Sequence, residues 1–340
     1  MRPFAYVRAS SPAAASQAAA GAGRSTPPTW APVQFLAGGT TILDLMKLDV
    51  MQPGTLVDLA ALRPSKGSDI EAGPAGLRLG AFATMAEAAE HPAVLRDYPM
   101  IAESLQLAAS AQLRNMASLG GNLLQRTRCM YFRDPRSTAC NKREPGSGCA
   151  ALDGVNRQHA ILGTSEDCIA TYPGDFAQAL IALDATLEIA GSDGTRTLPF
   201  ADLHRMPGRT PHIETTLAPG DLITAIRVPA GPWTRRSRYL KIRDRESFQF
   251  ALASAAVALE LQGDSVRSAR VALGGVAPVP WRAREAEAAL AGRPLDEASA
   301  SAAAGAAYAA ARPRRHNAFK VELGQRTLVR ALLEARQMQV

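Results

Sequence analysis

The stretch LAGGTTILDLMK, residues 36–47, decides how this chain is read, and AQLRNMASLGGN, residues 111–122, completes it. VQFL at 33–36 reads as a short apolar strand, while Ile42, Leu45 and Met46 recur at helical spacing. Ala37-Gly38-Gly39-Thr40-Thr41 is therefore a turn between a strand and a helix. Glycine lets backbone approach a ligand closely, and successive N–H groups at a helix start suit an anion such as phosphate. The two threonines add hydroxyl donors. The pattern is neither G-x-G-x-x-G nor a Walker loop. By itself the turn reads more readily as a tight connection with a helix cap. The second motif, Ser118-Leu119-Gly120-Gly121-Asn122, brings a pyrophosphate-bearing cofactor level with that reading.

Outward from these motifs, LVDL at 56–59 reads as a buried strand, and residues 77–95 as strand, turn and helix, with Thr84 as N-cap and Glu87 three positions on. Residues 100–110 and Phe176–Leu183 read as helices. Thr186–Ile189, 197–200 and 222–229 read as strands. The pattern resets around Pro229–Arg236. Beyond it come strands at 238–242 and 266–273, the strongly apolar run FALASAAVALEL at 250–261, and an Ala-rich helical region, 283–312, broken at Gly292-Arg293-Pro294. An amphipathic helix spans 319–336.

Composition narrows the function classes. The 340 residues hold no apolar run of ~18, so no membrane span is expected. Net charge is +7, but the basic clusters at 235–238 and 312–315 lack the spaced aromatics of a single-strand binder, so solvated faces or an acidic protein partner are expected instead of nucleic acid. The N-terminal residues show neither an apolar signal core nor a twin-arginine motif, so the chain is expected to carry no export signal of its own. His91, His159, His204, His212 and His316 lack paired metal-ligand spacing, and no Ser/His/Asp set or paired carboxylates stand out. Hard chemistry would belong to cofactors.

Cys129, Cys140, Cys149 and Cys168 are the only cysteines, separated by ten, eight and eighteen residues. Their surroundings read as a long loop, which is uncommon unless functional or tied down. Three readings are open. Disulfides staple small secreted domains with too little core, whereas this chain is 47% hydrophobic. Structural zinc favours Cys-x2-Cys pairs, absent here. An iron–sulfur cluster takes four thiolates at wide spacing, and Arg126, Arg128, Arg133, Lys142 and Arg143 would offset its negative charge, with Gly146, Ser147 and Gly148 offering N–H groups. Residue types favour the cluster, with zinc and the disulfide or plain-thiol readings behind it.

The two glycine motifs and the LVDL strand together resemble the flavin-binding subunits of the xanthine dehydrogenase and aldehyde oxidoreductase family, which share the FAD-binding fold of vanillyl-alcohol oxidase (the PCMH type). Tyr172-Pro173-Gly174-Asp175-Phe176, Pro219-Gly220-Asp221-Leu222-Ile223, Tyr239-Leu240-Lys241 and Asn317-Ala318-Phe319-Lys320-Val321 extend the resemblance from about residue 33 to near the end. Most members run from the Gly-Gly-Asn motif through a short loop into the Asp-bearing segment. Here the cysteine stretch intervenes, and it is similar to the medium subunit of the periplasmic molybdenum aldehyde oxidoreductases, where such a loop holds an extra [4Fe–4S] cluster. One departure is Ser118, where many relatives carry Thr; the hydroxyl is kept.

The resemblance implies an α+β protein: FAD-binding subdomains at 1–60 and 61–232, a [4Fe–4S] loop insertion at 123–174, and a C-terminal domain, 233–340, of antiparallel sheet with helices. It implies that Leu36, Ala37, Gly38, Gly39, Thr40 and Thr41 wrap the FAD pyrophosphate, that Ser110, Ser118, Gly120, Gly121 and Asn122 form the second cradle, and that Asp175 accepts from a ribose hydroxyl. Ile223 would pack on the flavin ring and Lys241 lie near its polar edge. Asp175 also reads as a cap for the helix at Phe176, Ile223 as strand core and Lys241 as a strand-edge charge. Cys129, Cys140, Cys149 and Cys168 would ligate one [4Fe–4S] cluster. The implied function is electron transfer within an aldehyde oxidoreductase heterotrimer. A large molybdenum-cofactor subunit would oxidise aldehyde to carboxylic acid, and a small subunit with [2Fe–2S] clusters would pass electrons to FAD here, then to an external acceptor. The resemblance further implies a periplasmic location through co-export with a signal-bearing partner, or else a cytoplasmic one. A stand-alone flavin oxidoreductase of the same fold and a zinc-stabilised scaffold are the competing readings.

Overall fold

A computed structural model describes residues 1–20, 26–65, 69–136 and 138–340. Strands β1 (Ala5–Arg8), β2 (Val33–Leu36) and β3 (Thr55–Asp58) form a parallel sheet in the order β1-β3-β2. Helix Ile42–Lys47 makes the crossover from β2 to β3, and its Ile42, Leu45 and Met46 bury against Leu56. This spacing of apolar residues was visible in the sequence. Strand β1 was not: all four of its side chains are exposed, so it leaves no periodic apolar signal. Helix Pro12–Ala19 follows, with the Ser11 hydroxyl accepting from Ala14 N–H at 3.1 Å.

Strands β4 (Ile70–Gly73), β5 (Gly76–Gly80), β6 (Thr186–Gly191), β7 (Gly194–Pro199) and β8 (Leu222–Pro229) form an antiparallel sheet ordered β4-β5-β8-β6-β7. Ile226 of β8 lies between Leu79 and Leu187. Helices Met85–Glu90, Pro99–Gln106 and Phe176–Ala182 contribute their apolar faces to the same core.

Strands β9 (Ser237–Ile242), β10 (Ala253–Gln262), β11 (Ser265–Gly274) and β12 (Trp281–Arg282) form a second antiparallel sheet ordered β12-β11-β10-β9. The run at 250–261 lacks the alternation of a half-exposed strand because β10 is buried on both faces. Ala255, Val257 and Leu259 meet helices Arg284–Leu290, Glu297–Tyr308 and Phe319–Arg336, whereas Ala256 and Ala258 join the core of the preceding sheet. Alanine on that face lets helix Phe176–Ala182 approach closely. The α+β architecture and the C-terminal antiparallel sheet with helices are thus as expected from the sequence.

The cysteine stretch has little regular structure: helix Met130–Arg133 and an isolated bridge between Cys140 and Cys149 among its described residues. It is nevertheless tied to the rest of the protein. Arg128 and Arg133 reach Asp44, Lys142 reaches Glu214, and the N–H groups of Ile161 and Leu162 donate to Val276 C=O. All three sheet-bearing regions therefore hold it.

The expected cap at Thr84 is a full capping box. Thr84 Oγ1 accepts from Glu87 N–H at 3.2 Å, and Glu87 Oε2 accepts from Thr84 N–H at 2.8 Å. Thr84→Ala removes one side of the box and is expected to cost about 1 kcal/mol, read as a lower urea midpoint with unchanged m-value.

Candidate functional site

The two glycine motifs, some eighty residues apart, meet back to back. Gly38 lies so close to the next loop that a Cβ there would fall 1.9 Å from the Met116 carbonyl oxygen. Gly39 has φ +74°, the left-handed conformation that lets the chain turn into helix Ile42–Lys47. On the other side Ser118 caps helix Leu119–Leu123, its Oγ accepting from Gly121 N–H at 3.2 Å. Gly120 N–H donates to Ala81 C=O, locking this turn to the sheet of β5.

Both turns open on one cleft of about 370 Å³, within the range of small-molecule sites. Ala37, Gly38, Gly39, Thr40, Thr41, Ser118, Gly120, Gly121 and Ile223 line it. Ile223 is also core, packed with Ile226 and Leu187. The sequence had not pointed to His204, which lines the cleft too. Its Nε2 lies 3.1 Å from Leu123 O, its ring stands edge-on to Tyr172, and burial pulls its pKa down to about 4, so it is neutral at pH 7. The convergent small residues and hydroxyls fit an elongated phosphate-bearing cofactor such as FAD.

Five expected cofactor residues lie elsewhere. Leu36 packs with the apolar face of helix Ile42–Lys47. Ser110 caps helix Ala111–Met116, accepting from Leu113 N–H. Asn122 places Nδ2 3.4 Å from Met85 sulfur, and its buried Oδ1 has no partner. Asp175 and Lys241 find each other: Lys241 Nζ is 2.7 Å from Asp175 Oδ2, and Tyr239 donates its O–H to Oδ1 at 2.6 Å. Lys241 is not a strand-edge charge, since its side chain is only 1% exposed. Nor does Asp175 cap its helix through the side chain. The pair joins helix Phe176–Ala182 to β9 inside the protein, and Lys241 also donates to Leu107 C=O.

All four cysteines line a second, small cavity. None is in a disulfide. Burial pushes the Cys129 thiol up to about 12 and the Cys168 thiol up to about 11, and raises Cys140. Backbone N–H groups point at the sulfurs: those of Phe132 and Tyr131 at Cys129, of Arg143 and Lys142 at Cys140, and of Ala170 at Cys168. His159 Nε2 is 3.1 Å from Cys129 Sγ. A mononuclear zinc site would gather sulfurs about 2.3 Å from one point. Among the described residues no group of three or more His, Cys, Asp or Glu is arranged to hold a metal ion. Four thiols with backbone donors round one cavity are the donor types that a [4Fe–4S] cluster would need.

A salt-bridged trio stands beside this cavity. Lys142 Nζ is 2.9 Å from Glu214 Oε1, and Arg126 Nε is 2.6 Å from Glu214 Oε2. Burial works against the Glu214 charge, but Arg126 and Lys142 hold its pKa below the usual value.

Comparison with known proteins shows the family. The family described as FAD binding domain in molybdopterin dehydrogenase matches residues 2–231, and the CO dehydrogenase flavoprotein C-terminal domain matches 238–335. The chain belongs to the FAD-binding medium subunits of the molybdenum hydroxylases. This flavoprotein subunit is 46% identical over 337 residues to the aldehyde oxidoreductase FAD-binding subunit PaoB of Escherichia coli strain K12, covering 99% of both chains. It is 28% identical to the carbon monoxide dehydrogenase medium chain of Afipia carboxidovorans, covering 82% of this chain and 78% of that one. Among solved structures, carbon monoxide dehydrogenase from Hydrogenophaga pseudoflava superposes with a TM-score of 0.73 at 25% identity, covering 98% and 97% of the two chains.

Two outcomes follow for the flavoprotein subunit. Gly38→Ala drives a methyl into the Met116 carbonyl, parts the two turns, and is expected to cost about 1–3 kcal/mol and lower flavin occupancy, read as FAD per chain after gel filtration. Asp175→Ala leaves the Lys241 ammonium buried without its carboxylate and should cost roughly 3–5 kcal/mol, measured by urea unfolding; Asp175→Asn should cost less.

Proposed function

We propose that this chain is the FAD- and [4Fe–4S]-carrying electron-transfer subunit of a molybdenum-dependent aldehyde oxidoreductase. What carries the reading is one arrangement: two glycine turns opening on a common cleft, with a four-cysteine cavity directly behind it. End-to-end similarity to an aldehyde oxidoreductase FAD-binding subunit supports the substrate class. FAD, when bound, supplies the exchange between two-electron and one-electron chemistry.

The chain's own residues have positioning tasks. The turns at Gly38–Thr41 and Ser118–Gly121 hold the pyrophosphate, and Ile223 packs beside the cofactor. Leu36, Ser110 and Asn122 support the turns from behind, and the Asp175–Lys241 pair fixes the wall next to Tyr172-Pro173. Cys129, Cys140, Cys149 and Cys168 ligate the cluster. We assign residues 1–60 and 61–232 to the FAD-binding unit, with the insertion 123–174, and 233–340 to the C-terminal domain. The partners are a large molybdenum-cofactor subunit and a small subunit with [2Fe–2S] centres, electrons leaving through FAD to an external acceptor. Their location is periplasmic, reached by export of the folded complex with a signal-bearing partner.

The visible spectrum of the purified subunit, with iron and acid-labile sulfide per chain, tests this. Flavin bands with about four iron and four sulfide support it. Cys129→Ser should lower both while FAD remains. Flavin without iron points to a simple flavoprotein, one zinc without sulfide removes the cluster, and a colourless protein overturns the whole reading.

A further inference from the structure

One layer of side chains separates the cysteine cavity from the cofactor cleft. Lys142 and Ala170 line both. Arg126 lines the cleft, and its guanidinium sits 5.1 Å from the ring centroid of Phe132, which lines the cavity. Glu214 holds the two cations from the cleft side. Both cations are more than nine-tenths buried. Lys142 makes well-directed bonds, its ammonium also donating to Pro211 C=O at 2.9 Å. Arg126 is not: although Nε is close to Glu214, none of its three guanidinium nitrogens makes a well-directed hydrogen bond, and all are shielded from solvent.

Two cations on one carboxylate leave a buried excess of positive charge. Such an excess is costly unless something anionic lies beside it. His204, which also lines the cleft, is neutral and adds no further positive charge. The two groups that the proposed function places on either side of this layer are anionic, and each becomes more negative when it takes up an electron. A fixed positive charge between them favours their reduced forms.

We propose that Arg126, Lys142 and Glu214 form an electrostatic partition that raises the reduction potentials of both redox groups, an inference that rests on the FAD and cluster assignment above. Lys142 faces both sides and acts on both, Arg126 adds the second positive charge on the shared carboxylate, and Glu214 limits the effect. None of the three needs to touch a reacting atom; they tune the groups from between them.

Anaerobic potentiometric titration of the purified complex tests this, with visible absorption following the flavin and electron paramagnetic resonance following the cluster. Lys142→Met should shift the one-electron equilibria toward the oxidised forms by about tenfold, ~59 mV, with Arg126→Met acting in the same direction. Lys142→Arg should restore the wild-type values. Glu214→Gln should move both potentials the opposite way, which a merely structural role would not produce. FAD, iron and sulfide are counted in the same preparations. If Lys142→Met loses a cofactor, Arg126→Met and Glu214→Gln carry the measurement. Unchanged potentials at full cofactor content, or equal-signed shifts for Lys142→Met and Glu214→Gln, would overturn the partition; so would loss of both cofactors from every variant. A wild-type protein with flavin but no iron removes the cluster assignment instead, and the partition then stands or falls on the flavin shift.

Discussion

Everything at the cofactor cleft depends on one close approach of backbone to backbone. Gly38 stands where the smallest side chain would collide with the Met116 carbonyl. The parallel sheet of β1–β3 can therefore press its connecting turn onto the loop that follows helix Ala111–Met116. Hydrogen bonds from Leu119 N–H to Ala83 C=O and Gly120 N–H to Ala81 C=O hold the other turn to the β5 edge. The cleft is the seam between these two contacts, which is why its lining comes from both units.

A second constraint is the treatment of buried charge, which differs in two places. Asp175 and Lys241 are matched one to one and further satisfied by Tyr239 and Leu107. Such a closed set does little besides join two elements in fixed register. Arg126, Lys142 and Glu214 are not matched, and they stand where two cavities share a wall. The first arrangement is complete within the chain, and the second calls for an anionic neighbour.

Between these lies the cysteine stretch, irregular in backbone yet held to all three sheet-bearing regions. Its pins are long-range: Asp44, Glu214 and Val276 are each distant in sequence from the residues that reach them. The cysteine cavity thereby keeps its place behind the cleft without a regular element of its own.

The sequence by itself determined the elements with strong local signals. The turn at Gly38-Gly39, the capping box at Thr84 and the final helix Phe319–Arg336 are written in periodicity and cap chemistry, which act over a few residues. The clustering of four cysteines announced a common site, and the apolar run around β10 announced burial. Only the tertiary structure decided which side chains face the cleft. It withdrew Asp175 and Lys241 into a mutual pair, turned Leu36, Ser110 and Asn122 to supporting positions, and brought in His204, Arg126 and Glu214. Charge pairing and shared walls arise between residues dozens to hundreds of positions apart, and no local pattern records them. Strand β1 escaped notice for the opposite reason: with its side chains all exposed, only backbone pairing to β3 makes it a strand.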